Sequence, residues 1–294
     1  MTTCSTLKLC CFACVFALFS TWSRAESLSD LTYGTAAGEE LKLDLSVPDG
    51  PGPFPVCILV HGGGFEKGDK RNFKTLFGRL TDARFAWVSI NYRLAPEHKY
   101  PGSVEDLETA IRWVKAHASE YRFDAGRIVL IGESAGGYLV SLVGARNHED
   151  TRVAAVVPFY GSSDHVVRFL ATKDNPAPGY ASYFGVTEDN EATHKLLVAA
   201  SPVTYVRPGL PPFLLIHGNA DQRVPYEQSV IFEARLKAAG VPVELITIEG
   251  GGHGMGGWSK LNSDYVAQLI AWLKKTLKIY KNPDMKYPPG ECDL

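Results

Sequence analysis

Ser134 has the sequence context of a catalytic nucleophile. It stands at the centre of Gly132-Glu133-Ser134-Ala135-Gly136, which matches Gly-x-Ser-x-Gly. Four apolar residues at 128–131 precede the motif, and residues 138–143 continue with helix-compatible apolar spacing. A strand that turns sharply into a helix leaves room only for glycine on both sides of the serine. The pattern therefore predicts a nucleophile elbow rather than a glycine-rich turn with an inactive serine.

Two later loops carry residues that could activate this serine. A serine hydroxyl needs a base to remove its proton, and the base is usually a histidine oriented by an acid. Asp221 follows the apolar run 213–216, and His253 follows the run 243–248. Such partners lie in loops at the carboxyl ends of parallel strands. Because Ser134, Asp221 and His253 also follow a known nucleophile–acid–base order, we predict that they form a catalytic triad.

Other histidines and acids compete for these roles. His61 and His217 also end predicted strands. We interpret His61 as support for the glycine loop beside it and His217 as structural. Asp164 follows a strand as well and stays an alternative acid. The remaining histidines lie in polar segments and are interpreted as solvated surface residues: His98, His117, His148, His165 and His194.

A run of glycines supplies candidates for an oxyanion hole. His61-Gly62-Gly63-Gly64 follows the apolar run 56–60 directly. Acyl transfer creates a negatively charged oxygen that backbone N–H groups must meet, and residues without side chains let a substrate approach them closely. We predict that the N–H groups of Gly63, Gly64 and Ala135 form this site. A flexible glycine turn is the alternative.

The composition gives no sign of other binding chemistries. The chain has 294 residues, a net charge of −2 and no Lys/Arg cluster, so nucleic acid is not an expected partner. It has no Gly-x-x-x-x-Gly-Lys phosphate loop and no dinucleotide fingerprint. His61 and His217 lack further ligands at suitable spacing, so we expect no metal and no cofactor. The oligomeric state is left open.

Strands alternate with helices along most of the chain. The continuous apolar strands are typical of a sheet covered on both faces. We therefore predict an α/β fold, with a mostly parallel, doubly wound sheet and helices on both faces. Residues 41–47 alternate strictly and predict a half-exposed antiparallel edge strand. The other predicted strands are 56–60, 86–90, 128–131, 153–157, 213–216 and 243–248, and the predicted helices are 72–84, 104–121, 226–239 and 262–277.

Residues 162–206 interrupt this alternation. The interval has no strand pattern and contains several aromatic residues and prolines. Long connections are often functional, so we predict a lid-like insertion over the pocket, with a plain surface excursion as the alternative. Phe65, Tyr160, Tyr183 and Phe184 are candidate substrate-binding residues, and each is equally compatible with core packing.

The first residues have the features of a targeting segment. Lys8 precedes an uncharged apolar run at 9–19, and Ser23-Arg24-Ala25 offers small residues at the −3 and −1 positions of a cleavage site. The run is short for a membrane span. We predict a signal peptide at 1–25, a secreted or periplasmic protein without a stable membrane anchor, a catalytic domain at 26–280 and an extended tail at 281–294. A transmembrane anchor is the alternative.

Cleavage after Ala25 would leave two of the six cysteines, Cys57 and Cys292. Cys57 lies inside an apolar strand pattern and is predicted to be a buried thiol that packs as a small hydrophobe. A disulfide between the two is the alternative, because an oxidising compartment permits it.

Three motifs together resemble those of the hormone-sensitive-lipase-type esterases of the α/β-hydrolase superfamily. They are His-Gly-Gly-Gly-Phe at 61–65, Asn-Tyr-Arg-Leu-Ala-Pro-Glu at 91–97 and Gly-Glu-Ser-Ala-Gly-Gly at 132–137. The acid loop departs from that group, which usually carries Asp-Pro-Leu-x-Asp where this chain has Gly218-Asn219-Ala220-Asp221. With residues 201–205, this loop resembles the bacterial and fungal feruloyl and acetyl esterases and the dienelactone-hydrolase-like proteins.

The resemblance covers residues 41–277 and implies an α/β-hydrolase fold and cofactor-free serine ester hydrolysis by the residues named above. The expected function is a secreted serine carboxylesterase that cleaves short-chain esters through an acyl-enzyme intermediate. Its substrates would be small-molecule or polysaccharide esters, with acetyl or feruloyl esters of plant polysaccharide as candidates. One alternative is a serine peptidase of the prolyl-oligopeptidase type, which normally carries a large N-terminal domain. The other is a non-catalytic binding protein on the same fold.

Overall fold

The computed structural model describes residues 25–172 and 179–279. The predicted tail at 281–294, and all but the last residue of the predicted signal peptide at 1–25, lie outside the described residues. In the described part of the chain, no helix is long and apolar enough to cross a membrane.

An eight-stranded sheet forms the centre of the structure, with the strand order β1-β2-β4-β3-β5-β6-β7-β8. β1, β2 and β4 pair antiparallel, and every pairing from β4 to β8 is parallel. The mostly parallel sheet predicted from the sequence is therefore confirmed. The strands are β1 (Glu26–Ala36), β2 (Glu39–Val47), β3 (Phe54–Val60), β4 (Ala86–Ile90), β5 (Phe123–Glu133), β6 (Ala155–Phe159), β7 (Phe213–Gly218) and β8 (Val243–Ile248).

Helices cover both faces of this sheet. Successive strand residues point to opposite faces, so Ile58 packs in one apolar cluster and Leu59 in another. The first cluster contains residues of α2, α3 and α7, and the second contains residues of α1, α8 and α9. The helices are α1 (Lys74–Asp82), α2 (Gly102–Ala116), α3 (Ala135–Arg146), α4 (His165–Thr172), α5 (Tyr180–Phe184), α6 (Glu191–Ala200), α7 (Glu227–Ala238), α8 (Trp258–Leu261) and α9 (Tyr265–Thr276).

The strand predicted at 41–47 is not at the sheet edge. It forms most of β2, which lies between β1 and β4. Asp44 and Ser46 on its polar face are buried, and Asp44 makes a 2.9 Å ion pair with the buried Lys70. Lys42 on the same face is only partly buried. The edge strand on this side of the sheet is β1, whose mixed polar sequence has no clear apolar period and so gave no strand prediction.

The interval 162–206 contains α4, α5 and α6 and, among its described residues, no strand. Its helices pack at the carboxyl edge of the sheet, where Tyr183 and Phe184 contact Phe65. The insertion therefore lies at the sheet edge that carries the predicted catalytic loops.

Candidate active site

Ser134 lies in a tight turn between β5 and α3. Its backbone has φ 53° and ψ −113°, a conformation that non-glycine residues rarely adopt. A Cβ atom on Gly132 would lie 2.2 Å from the carbonyl oxygen of Gly136, and one on Gly136 would lie 2.0 Å from that of Val60. Only glycine fits at both positions, so the chain has the geometry of a nucleophile elbow.

Ser134, His253 and Asp221 come together although they are far apart in the sequence. The Ser134 Oγ lies 2.9 Å from Nε2 of His253. The Nδ1 of His253 lies 2.7 Å from Oδ2 of Asp221. When Nδ1–H donates to this carboxylate, Nε2 is left as an acceptor for the serine proton. The arrangement can therefore generate a serine nucleophile.

Several donors hold the carboxylate of Asp221 in place. Its Oδ1 accepts the backbone N–H groups of Arg223 at 2.8 Å and Val224 at 3.0 Å. Burial alone would raise the pKa of Asp221, but the hydrogen bonds from His217, His253 and the Val224 N–H outweigh it, and the pKa is lowered. The carboxylate therefore stays ionised beside His253.

His217 is buried and orients Asp221 from the other side. Its Nε2 lies 3.3 Å from Oδ2 of Asp221 and 3.0 Å from the carbonyl oxygen of Val224. Two acceptors at this nitrogen require that it carries the proton, so Nδ1 accepts the hydroxyl of Ser229 at 2.7 Å. The rival acid, Asp164, instead accepts the N–H of Val167 at the start of α4.

The glycine loop after β3 forms one wall of the site. Gly63 has φ 116° and Gly64 has φ 66°, and a Cβ on Gly63 would lie 1.8 Å from the carbonyl oxygen of Lys67. His61 is buried beneath the loop, stacks on Tyr92 with ring centroids 4.3 Å apart, and has Nδ1 2.7 Å from the carbonyl oxygen of Gly62. This placement agrees with the interpretation that His61 supports the loop.

A cleft with a volume of about 430 Å³ opens above Ser134. Gly63, Gly64 and Ala135 line it beside Ser134 and His253. Ala135 is the first residue of α3, where backbone N–H groups have no partner within the helix. The role of these three residues as an oxyanion hole stays a prediction, and their place at the nucleophile is consistent with it.

The four predicted substrate-binding residues fall into two layers. Phe65 and Tyr160 line the cleft, whereas Tyr183 and Phe184 do not. Tyr183 stacks behind Phe65 at 3.9 Å between ring centroids. Its hydroxyl lies 2.7 Å from that of Ser103. In this structure Tyr183 and Phe184 pack behind the cleft wall, as the core-packing alternative expects, and direct substrate contact by either ring stays a prediction.

The structure adds cleft residues that the sequence analysis missed. They are Gly62, Glu66, Lys67, Glu133, Tyr138, Ser162, Arg168, Tyr180, Arg223, Val224 and Gly254. Glu133 could have been found, because it is the variable residue before the serine in the motif. The helices that carry Arg168 and Tyr180 have no motif that would have indicated their position.

His165 was interpreted as a solvated surface histidine, and this is wrong. The side chain is fully buried at the start of α4, with ring centroids 4.5 Å from Tyr138 and 4.7 Å from Phe184. Burial lowers the pKa of His165. The short polar segment in the sequence did not reveal that the helix turns this residue inward.

Within residues 25–172 and 179–279, no group of three or more His, Cys, Asp and Glu side chains could hold a metal ion.

The amino-acid sequence was compared with the sequence profiles of known protein families. The profile of the BD-FAE family matches residues 43–236, which is more than half of the chain. The chain belongs to the BD-FAE family. The matched part of this BD-FAE protein includes Ser134 and Asp221 and ends before His253. The predicted resemblance to esterases of this group is thereby confirmed.

Two proteins of Mycobacterium tuberculosis are among its sequence relatives. The probable carboxylic ester hydrolase LipM is 34% identical over 63% of this chain and 46% of its own length. Esterase LipC is 32% identical over 69% of this chain and 53% of its own length. The BD-FAE protein thus spans about half the length of these curated relatives.

Solved structures share the fold over most of the chain. A truncated carbohydrate esterase from gut microbiota is 24% identical, with a TM-score of 0.75 over 88% of this chain and 98% of that one. A bifunctional GH43-CE protein of Bacteroides eggerthii is 28% identical, with a TM-score of 0.73 over 85% of this chain and 38% of that one. The α/β-hydrolase fold is therefore shared with both.

Proposed function

We propose that this BD-FAE protein is a serine carboxylesterase that acts on short-chain esters. The proposal is supported by the hydrogen-bonded chain of Ser134, His253 and Asp221. The Ser134 hydroxyl lies 2.9 Å from His253 Nε2, and His253 Nδ1 lies 2.7 Å from Asp221. Ser134 and His253 line an open cleft that a substrate can enter. The names of LipM and LipC, both described as ester hydrolases, support the same reaction class.

The proposed reaction proceeds through an acyl-enzyme. Ser134 Oγ attacks the ester carbonyl carbon while His253 Nε2 takes the hydroxyl proton, and the N–H groups of Gly63, Gly64 and Ala135 meet the resulting oxyanion. His253 then returns the proton to the departing alcohol. A water molecule attacks the acyl-serine with the same proton transfers and releases the carboxylic acid and Ser134.

Acetyl and feruloyl esters of plant polysaccharide are the proposed natural substrates. The cleft volume of about 430 Å³ lies in the range of pockets that bind small molecules, so it could hold the acetyl or feruloyl group of such an ester. The solved structure from gut microbiota that shares this fold is described as a carbohydrate esterase, which supports a carbohydrate ester as substrate. Side-by-side rates on acetylated xylan, methyl ferulate and p-nitrophenyl esters of increasing chain length test this proposal, and a preference for long acyl chains would contradict it.

We also propose that the protein is secreted after cleavage near Ala25 and that residues 162–206 act as a lid over the cleft. The apolar run at 9–19 and the small residues before the cleavage site support secretion. The position of Arg168 and Tyr180 in the cleft wall supports the lid. N-terminal sequencing of the exported protein tests the first point; a retained Met1 in that fraction would argue against it.

The esterase assignment is tested with p-nitrophenyl acetate and a Ser134→Ala variant. We expect loss of several orders of magnitude in kcat in the variant. A fluorophosphonate probe should label Ser134 in the wild type, as located by peptide mass spectrometry. Undiminished ester turnover in Ser134→Ala would refute the assignment. Cleavage of a Gly-Pro anilide faster than of any ester would instead favour the peptidase alternative.

A further inference from the structure

Arg168 places a positive charge in the wall of the catalytic cleft. It lies on α4 and lines the cleft together with Ser134, His253 and Tyr180. Its guanidinium carbon lies 5.3 Å from the centroid of the Tyr180 ring, which packs against one face of the group. The side chain is partly buried rather than extended into solvent. This cation therefore stands where a substrate would lie.

Within the described residues, the Arg168 guanidinium makes two hydrogen bonds. One nitrogen donates to the hydroxyl of Ser162, and another donates to the carbonyl oxygen of Arg223 at 3.3 Å. Both acceptors are neutral, and in the part of the chain that the structure describes Arg168 makes no ion pair. A guanidinium has five N–H donors. At least part of its hydrogen-bonding capacity is thus left for a ligand.

The carboxylates near the cleft are occupied elsewhere. Glu133 accepts hydrogen bonds from Tyr160 and from the N–H of Gly62. Glu66 accepts the hydroxyl of Ser182 at 2.6 Å. Asp221 attracts Arg168 electrostatically, yet both of its oxygens are bonded to the histidines and backbone groups already described. Burial lowers the pKa of Arg168 despite that attraction, and the group remains charged at neutral pH.

Two further cations accompany Arg168. Lys67 and Arg223 also line the cleft, are exposed, and likewise make no ion pair among residues 25–172 and 179–279. Of the three cations, Arg168 is the one that is partly buried. Burying a charged side chain costs free energy unless an opposite charge lies beside it, and a bound anionic ligand would supply that charge. Arginine is the side chain best suited to bind a carboxylate through two parallel hydrogen bonds.

We propose that the cleft binds esters that carry a free carboxylate, and that Arg168 is the residue that holds this carboxylate. The proposal rests on the proposed esterase function and adds one requirement for substrates of the same site, a free carboxylate on the ester in addition to the acyl group that is cleaved. The carboxylate could stand on the acyl part or on the alcohol part of the ester, and matched substrates distinguish these two sources.

The test compares each acidic ester with a neutral one of similar shape. For the acyl side, p-nitrophenyl hemisuccinate is compared with p-nitrophenyl butyrate. For the alcohol side, 4-acetoxybenzoate is compared with 4-acetoxybenzamide. We expect the wild type to prefer the acidic member of at least one pair in kcat/KM, mainly through a lower KM. Raising the ionic strength should reduce that preference.

In Arg168→Gln, the acidic-to-neutral ratio of kcat/KM should fall by about 10- to 100-fold, the loss typical of a charge-assisted hydrogen-bonded pair. Arg168→Lys keeps the charge and should recover part of the ratio. Lys74→Gln removes an exposed cation of α1 that does not line the cleft and should change the ratio by less than about threefold. Because each ratio is measured on one preparation, a loss of folded protein cancels.

A wild type that hydrolyses all four esters without preference for either acidic one would overturn the proposal and leave the esterase function intact. An Arg168→Gln ratio equal to that of the wild type would overturn it too. If none of the four esters is hydrolysed, the proposed esterase function is overturned, and the anion site is decided by a binding measurement. In that case, binding of 4-acetoxybenzoate is measured by calorimetry in the Ser134→Ala single variant and in the Ser134→Ala/Arg168→Gln double variant. Binding by the single variant alone would support the anion site. Equal binding by the two variants would overturn it.

Discussion

The phenol hydroxyl of Tyr160 donates a 2.6 Å hydrogen bond to Oε2 of Glu133, the residue directly before Ser134. The other oxygen of Glu133 accepts the N–H of Gly62 at 3.3 Å. The Tyr160 ring in turn packs against His253, with ring centroids 4.9 Å apart. Glu133 therefore connects the glycine loop with the wall behind the proposed catalytic histidine. It acts as a positioning residue rather than as a group that touches the reacting atoms.

Glu133→Gln should lower kcat by about tenfold or more and leave KM nearly unchanged. A glutamine has one acceptor oxygen, so it can accept from the Gly62 N–H only if the bond to Tyr160 is lost or reversed, and it has no charge. A hydrogen bond to a charged acceptor typically contributes about 1.5–3 kcal/mol. Steady-state kinetics on p-nitrophenyl butyrate measure both constants, and thermal unfolding checks that the fold is retained.

Tyr160→Phe provides the matched control for this prediction. It keeps the ring against His253 and removes only the hydroxyl, so its effect on kcat should be smaller than that of Glu133→Gln. The positioning role would be refuted by a Glu133→Gln enzyme with wild-type kcat, or by a change confined to KM.

Gly136→Ala should prevent normal folding of the elbow or destabilise the protein by about 3 kcal/mol. The added Cβ would lie 2.0 Å from the carbonyl oxygen of Val60, which belongs to the central strand β3 and cannot move aside cheaply. Urea unfolding followed by circular dichroism measures the change in the free energy of unfolding.

Gly78→Ala is the matched control. Gly78 lies exposed inside α1, and a Cβ there would meet no atom within 4 Å. Alanine is favoured over glycine inside a helix by about 0.8–1.0 kcal/mol, so this variant should be more stable than the wild type. Equal stability of the Gly136→Ala and Gly78→Ala proteins would contradict the close contact at the elbow.

The sequence predicts the site best where local geometry restricts the residue type. Gly132 and Gly136 are required by contacts within a few residues of Ser134 and by the neighbouring strand end. Asp221 and His253 are predictable because parallel strands deliver their following loops to one edge of the sheet. For these residues, a short pattern and the topology together specify the position.

The sequence predicts the site poorly where packing between distant helices decides it. Tyr183 and Phe65 both read as candidate pocket residues, and only the stacking of one ring behind the other separates them. His165 and Arg168 lie on the same short helix, yet one side chain is buried in the aromatic layer and the other lines the cleft. No periodicity over eight residues specifies which neighbour each face of that helix meets.

Cys57 should not react with thiol reagents while the protein is folded. Its side chain is fully buried in β3, and burial raises the pKa of the thiol, so little thiolate forms and no reagent reaches it. Labelling with a maleimide before and after urea addition, followed by mass spectrometry of the peptide that contains Cys57, measures this. Labelling of the native protein at the rate of the unfolded chain, or a Cys57–Cys292 crosslink, would disprove it.

Asp221→Asn should lower kcat on p-nitrophenyl butyrate by about 10⁴-fold, as expected when the acid of a Ser-His-Asp triad loses its charge and its ability to orient the histidine. The amide oxygen of an asparagine is needed by the N–H groups of Arg223 and Val224, so the NH₂ faces His253. An NH₂ group cannot accept the Nδ1–H of His253, so the histidine no longer presents Nε2 as an acceptor to Ser134. Asp164→Asn changes the rival acid, which caps α4, and should alter kcat by less than about threefold. Comparable losses in both variants would contradict the assignment of Asp221.

Asp221→Asn should also change how the free energy of unfolding depends on pH. The hydrogen bonds to Asp221 lower its pKa in the folded protein below the value of about 3.9 for an unfolded chain. A group with a lowered folded pKa stabilises the protein above its unfolded pKa, and this contribution is lost as the pH falls through the folded pKa. The difference in unfolding free energy between the wild type and Asp221→Asn should therefore be constant from about pH 7 to 5 and shrink below about pH 4. Urea unfolding at a series of pH values measures it, and a difference that grows in acid would show that the carboxylate is not stabilised in the fold.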